Sequence, residues 1–248
     1  MSVIHIIKNM AKKIKSKLQL TGLESVSFRD EISEVESFSV RREICIHQKK
    51  YHVRGDSYLQ RIGEDFEPGL VRLFVAIASR LGNGSCFDIG ANIGLTTLLF
   101  SELYSQVYSF EASPRTFQVF QQNIVRNKIV NANIFPFGLG SKNQKLPLTA
   151  ANDDASGGFL SEDLSANLNG HLQEIVDIRK GDELIEDSAF EFNLPITFVK
   201  IDVEGHELEV IEGLKQTLQR FEPIVVMEMN HWCLNAFKRM SIPEFLES

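Results

Sequence analysis

The stretch Phe87-Asp88-Ile89-Gly90-Ala91-Asn92-Ile93-Gly94 begins as an apolar run, ends that run on an acid, and then turns over two glycines. Residues 85–89 suit a short buried strand, and residues 95–103 carry the apolar spacing of a helix. Glycines between them let the backbone turn tightly and keep a Cβ out of a ligand's path. A strand that turns directly into a helix is the opening unit of a doubly wound sheet. In such sheets ligands sit beyond the carboxyl ends of the strands, where the strand order reverses. The N–H groups of the loop and of the helix start then face the polar group that binds there.

Downstream, the period keeps alternating. Residues 106–111 read as a strand, 114–127 as a helix and 131–138 as a strand. Residues 174–179 make an extra strand, 196–202 another, 206–220 a helix and 224–229 a last strand. Apolar strands alternating with amphipathic helices predict an α/β fold, a Rossmann-like sandwich with a mostly parallel sheet and helices on both faces. Residues 140–172 are rich in Asn, Asp, Ser and Gly and read as a long surface excursion, with Ser156-Gly157-Gly158 suited to a mobile lid.

Upstream, residues 67–81 predict a helix, with Pro68 in the first turn and Leu70, Phe74, Ile77 and Leu81 on one face. Gly82-Asn83-Gly84 stops it. Residues 26–54 look like strands. In them, Glu43-Ile44-Cys45-Ile46-His47 and Tyr51-His52-Val53 pair across the polar turn Gln48-Lys49-Lys50. Residues 3–20 read as an amphipathic basic helix with Ile4, Ile7, Ala11, Ile14 and Leu18 on one face. Such an arm packs on its own domain or on a partner chain, a homo-oligomer included, or associates weakly with an anionic membrane surface. The expected division is an N-terminal extension over 1–65 and a catalytic domain over 66–248.

The loop also selects among ligands. A dinucleotide fingerprint needs GxGxxG or GxGxxA. Here Asn92 stands at the second glycine and Leu95 at the third, and the second glycine is what admits a pyrophosphate. Asp88 fits poorly beside a phosphate and well near the ammonium of a methionine moiety. Glu111 lies about 20 residues beyond the loop at the end of the second strand, where an acid takes both hydroxyls of a ribose. S-adenosylmethionine has the ribose and the cation and no phosphate, and it fits better than NAD.

Composition narrows the class further. Lys and Arg number 26 against 33 Asp and Glu, for a net charge of -7, and the one dense basic run is residues 8–17. That argues against a nucleic-acid surface. Cys45, Cys86 and Cys233 form no CxxC pair, so zinc and redox chemistry are disfavoured and a reducing cytoplasm is expected. No signal peptide or membrane-spanning run is visible.

With these residues in place, the chain resembles the FkbM-type methyltransferases. Residues 87–94, then Tyr108-Ser109-Phe110-Glu111-Ala112-Ser113, then Val199-Lys200-Ile201-Asp202-Val203-Glu204-Gly205-His206-Glu207 carry the likeness, which runs from about residue 67 to 230. The resemblance implies a class I methyltransferase fold and O-methylation of small molecules, often sugar or polyketide hydroxyls. It places Asp88, Ile89, Gly90, Ala91, Asn92, Gly94, Glu111, Ala112 and Ser113 at the cofactor, and Asp202 facing the transferred methyl. Asp182 matches a family position as well, with the N-cap of the following short helix as its expected role.

An alcohol acceptor must lose a proton, and the candidate bases are His206, Asp202 and Glu204. His206 has the most suitable unperturbed pKa. Asp202 and Glu204 are a weak metal signal, and no metal is expected. Glu228, Asn230 and His231 suit contacts to a polyol, and Tyr58 and Glu67 closure from above. Only residues 231–248 follow Asn230, too few for the helix and hairpin that usually close this fold. A shortened form of a longer protein is therefore expected, with residues 224–229 left as an apolar sheet edge. The rival readings are a non-catalytic scaffold that keeps the fold and a nicotinamide-dependent oxidoreductase.

Overall fold

In the computed structural model, residues 38–151, 154–160, 171–186, 194–233, 235 and 239–247 are described. The arm expected at 3–20 and the first part of the strand region, 26–37, lie outside the described residues. The chain opens with β1 (Val40–Ile46), β2 (Lys49–Gly55), α1 (Ser57–Arg61) and α2 (Pro68–Leu81). There follow β3 (Ser85–Ile89), α3 (Leu95–Leu103), β4 (Gln106–Phe110), α4 (Pro114–Arg126) and β5 (Ala132–Phe135). Next come β6 (Gly138–Gly140), β7 (Gln144–Ala151), β8 (Asp154–Leu160), β9 (His171–Lys180) and α5 (Gly181–Glu186). Last are β10 (Ile196–Ile201), α6 (Glu207–Gly213), α7 (Lys215–Phe221), β11 (Ile224–Met227), α8 (His231–Cys233) and α9 (Ile242–Glu247).

Five parallel strands form the centre in the order β11-β10-β3-β4-β5. β3 is buried along its whole length, as a strand covered on both faces must be. Its alternate residues serve two cores. Cys86 joins Phe74, Leu98, Phe100 and Phe198 on the side of α2 and α3. Phe87 and Ile89 join Phe110, Val199, Val210 and Leu214 on the other side. Helices therefore cover both faces, as the alternating pattern predicts.

The N-terminal hairpin forms with a tighter turn than the polar run suggests. His47 (φ 47) and Gln48 (φ 67) are both left-handed, and Ile46 pairs with Lys49. That geometry matches the twist of the flanking strands. The hairpin's inner face (Ile44, Ile46, Tyr51 and Val53) is buried in the same apolar cluster as α2 and α3. Asn123 of α4, fully buried, fastens it: its Oδ1 accepts from the Arg54 N–H at 2.8 Å, and its Nδ2 donates to the carbonyls of Arg54 and Ile93. One side chain thus ties the hairpin, α4 and the glycine loop.

Two expectations need correction. The described part of the 140–172 excursion is mostly sheet: β6, β7 and β8 join β9 in a four-stranded sheet of order β6-β9-β7-β8. The polar composition hides a period-two apolar pattern, Leu146, Leu148 and Ala150, whose residues turn toward the main domain. The helix expected at 206–220 divides at Leu214 into α6 and α7. There a Cβ on Gly213 would stand 1.9 Å from the Gly140 carbonyl oxygen, so the end of α6 lies directly on the backbone of β6. Among the described residues, no strand follows β11, which forms an edge of the sheet with Ile224 exposed.

Candidate functional site

The strand order reverses between β3 and β10, so the loops after these two strands diverge and leave a cleft. The cleft encloses about 100 Å³ and opens to solvent. Its floor is Ile89, Gly90, Asn92, Glu111 and Asp202, and its roof is Leu148, Ala150, Gly158, Leu160 and Ile178 of the second sheet. The sequence pointed to a cover from the 140–172 segment, and what it missed is that this cover is built as a sheet. The apolar alternation in β7 was the available signal.

The loop after β3 is fixed from three directions. The N–H groups of Gly90 and Ala91 both donate to the Phe110 carbonyl at the end of β4. The Gly90 carbonyl accepts from Lys200 Nζ at 2.9 Å. Asn92, in the left-handed region (φ 50), donates its N–H to Glu111 at 2.9 Å. The two glycines are required by the protein's own packing. A Cβ on Gly90 (φ +76) would lie 1.8 Å from the Asp202 carbonyl oxygen, and one on Gly94 (φ +92) would lie 2.4 Å from the Phe120 ring. The expectation that they clear space for a ligand is replaced by this internal reason.

Glu111, at the carboxyl end of β4, is half-buried and lines the cleft. One carboxylate oxygen accepts from the Asn92 N–H and the other from the Ser113 N–H at 2.8 Å. Burial pushes its pKa up from the ordinary carboxylate range to about 7. Each oxygen keeps a second lone pair for a ligand hydroxyl. Beside it, the buried Asn92 Oδ1 has no hydrogen-bond partner among the described residues, so the loop offers a further acceptor.

Not every predicted contact faces the cleft. Ile89, Gly90, Asn92, Glu111, Ala112, Ser113 and Asp202 line it, whereas Ala91 and Gly94 lie behind the loop. The Ser113 hydroxyl is already engaged: it caps α4 by accepting from the Thr116 N–H and donates to Glu174 of β9 at 2.6 Å. Asp88 is fully buried beneath the start of α3, where its Oδ2 accepts from the hydroxyls of Thr96 and Thr97 at 2.8 and 2.6 Å. Its carboxylate does not line the cleft. Alternation along β3 explains why: Asp88 points to the α3 side, with Cys86.

Directly across the strand pair, Asp88 is in register with Lys200. Lys200 is only 6% exposed, and its Nζ stands 3.6 Å from Asp88 and 3.1 Å from Asp202. The two carboxylates hold this buried lysine's pKa up although burial itself favours the neutral amine. Sequence reasoning quoted Lys200 only as part of a motif. Its signal was positional, because a lone lysine two residues before an acid in an otherwise apolar strand needs a buried counter-charge.

The candidate bases gather at the end of β10. The Asp202 side chain is about a third exposed. Glu204 takes up a left-handed conformation (φ 50) ahead of Gly205 (φ 96), and its carboxylate accepts from Asn230 Nδ2 at 2.9 Å and from the Cys233 thiol. His206 is the N-cap residue of α6, 6% exposed, with Nδ1 3.6 Å from Glu209. All three line the cleft. Glu228 adjoins Asp202 because β10 and β11 end side by side, and the negative charge of Asp202, with burial second, raises its pKa. Tyr58 donates to Glu67 at 3.0 Å, and both lie close enough to feel Asp202 or Glu228. His231 is exposed and outside the cleft lining. Among the described residues, no group of three His, Cys, Asp or Glu side chains is arranged to hold a metal ion, and no helix is long and apolar enough to cross a membrane.

Comparison with known proteins matches residues 88–246 to the model of the Methyltransferase FkbM domain. "Methyltransferase 1" of Beauveria bassiana is 29% identical over 141 residues, which cover 51% of this chain and 57% of that protein. "Hexuronic acid methyltransferase AglP" of Haloferax volcanii is 30% identical over 162 residues, 64% of this chain and 61% of that one. The match thus spans about three fifths of the length of these curated relatives. A crystal structure of methyltransferase FkbM from Methylobacillus flagellatus aligns over 62% of this chain and 35% of its own, with 18% identity and a TM-score of 0.43.

Proposed function

The chain belongs to the FkbM methyltransferase family, and from that premise we propose that it transfers the methyl group of S-adenosylmethionine to a hydroxyl oxygen of a sugar, glycan or other small molecule. The observation that carries this reading is Glu111, held at the cleft floor by two backbone N–H groups with acceptor capacity left over. A ribose diol matches that acid. Asn92 at the second loop position, with a side chain and no glycine, matches a ligand without a pyrophosphate. The several carboxylates at the mouth match a cationic sulfonium.

When bound, the cofactor supplies a methyl group on a positively charged sulfur, open to in-line attack by an oxygen. The chain's own residues supply the rest. Glu111 and the loop after β3 hold the nucleoside, and the second sheet roofs it. At the end of β10, Asp202 is the group best placed to take the acceptor's proton, since its side chain reaches the cleft and one of its oxygens is steadied by Lys200. His206 is buried deeper, at the start of α6 beside Glu209, and serves chiefly to shape that turn. Glu204, engaged by Asn230 and Cys233, and its neighbour Glu228 are left to orient acceptor hydroxyls.

Transfer of labelled methyl to a panel of sugars and lipid-linked glycans tests the reading. Asp202→Asn should lower turnover on the order of 100-fold or more, as loss of a positioned base does. His206→Ala should lower it less. The reverse ranking would move the base to His206.

A further inference from the structure

The cofactor loop and the acceptor-side acid are fastened by the same buried cation. We propose that Lys200 is a positioning residue of this site: its single ammonium group sets the geometry of the loop after β3 relative to Asp202. The inference rests on the methyltransferase reading above, and it concerns a residue to which that reading gives no contact with either substrate.

Three distances carry it. Lys200 Nζ is 2.9 Å from the Gly90 carbonyl oxygen, 3.1 Å from Asp202 and 3.6 Å from Asp88. The side chain is 7% exposed, so its length and direction are set by packing. An ammonium has three donors and no acceptor. Here two of its donors meet the Gly90 carbonyl and Asp202 at hydrogen-bond distance, while Asp88 at 3.6 Å attracts it as a charge, so one ammonium ties two strand ends. The Gly90 carbonyl belongs to the peptide that leads into Ala91 and Asn92. Its far side is held by the Phe110 carbonyl, and Asn92 in turn donates to Glu111. Moving Nζ therefore moves the floor on which the nucleoside rests and the Asp202 carboxylate that lines the same cleft.

A purely structural alternative is that Lys200 only balances buried charge. The two roles separate by arithmetic. Asp88, Asp202 and Lys200 sum to -1 when charged. Lys200→Met alone leaves -2, and its folding is at risk. Lys200→Met with Asp88→Asn restores -1 while removing the contacts to Gly90 and Asp202. Asp88→Asn alone sums to 0 and keeps both contacts, and the unsubstituted protein, also at -1, is the charge-matched reference for the double variant.

The test measures S-adenosylmethionine binding by titration calorimetry, with thermal unfolding to confirm the fold. The double variant is expected to bind on the order of 10-fold more weakly than both Asp88→Asn and the unsubstituted protein while unfolding cooperatively, because loosened positioning is costly even far from the reacting atoms. Equal affinity in the two variants would overturn the positioning role. A second measurement uses the unsubstituted protein. The Lys200 ammonium, shielded from solvent, should give its own signal in a lysine-labelled magnetic-resonance spectrum, and adding S-adenosylmethionine should shift that signal. An unmoved signal at saturating cofactor would also overturn the inference. Absence of cofactor binding by the unsubstituted protein would overturn the methyltransferase reading as well, and is thereby distinguished from failure of the positioning role alone.

Discussion

Glu111 is held in place by its backbone neighbours before any ligand arrives, and its proton is the most telling one in the cleft. Burial raises its pKa from 4.5 to about 7. Only the ionised form offers every lone pair to a diol, so affinity for S-adenosylmethionine should weaken as pH falls through about 7, by up to about tenfold per unit. Folding stability has the opposite sign. The folded empty protein keeps this proton where the unfolded chain has lost it, so between pH 4.5 and about 7 the group's contribution to stability declines as pH rises. Bound cofactor offsets that loss. The rise in melting temperature on adding S-adenosylmethionine should be larger at pH 8 than at pH 6. Equal rises would remove Glu111 from the binding set. The sequence showed this acid's position from its spacing to the glycine loop. It did not show that Asp88, an equally prominent acid, points the other way, because that depends on which face of β3 receives α3.

Among the elements, α7 shows most clearly how a local rule gives way to a tertiary one. Asp182 was expected to cap its own short helix, α5. Instead its carboxylate reaches the start of α7, accepting from the N–H groups of Gln216 and Thr217 and from the Thr217 hydroxyl at 3.0, 2.9 and 2.7 Å. The group is 4% exposed and satisfies donors that a helix start leaves orphaned. Asp182→Ala should therefore destabilise the protein by about 2 kcal/mol, at the upper end for a lost cap. Urea denaturation measures it, and a change below a few tenths of a kcal/mol would show that these hydrogen bonds contribute nothing to stability. The same limit explains the second sheet. Strands β3, β4 and β10 were legible because both faces of each are buried and most of their residues are apolar. β7 and β8 were not, because β7 is only partly buried and the Asn, Asp, Ser and Gly of this segment dominate its composition. The break at Leu214 was equally invisible, since it follows from how closely α6 approaches Gly140.

At the scale of the whole molecule, the proposed activity makes charge a criterion for the acceptor. Asp202, Glu204, Glu228 and Glu67 stand around the mouth, and Lys200, the cation among them, is turned inward to Asp88 and Gly90. A neutral sugar should be methylated at least about 10-fold faster than the corresponding uronic acid at pH 8, because like charges brought together at a binding surface cost several kcal/mol. A preference for the uronate would place the acceptor elsewhere. The parallel sheet, the reversal between β3 and β10, and the buried hairpin bring every one of these residues to one end of the sheet, where cofactor recognition is proposed to take place. Titration calorimetry of the full chain with S-adenosylmethionine and, separately, with NAD at pH 8 tests that recognition most directly. Saturable binding of S-adenosylmethionine without measurable heat from NAD is the predicted result, and binding of NAD without S-adenosylmethionine would contradict it.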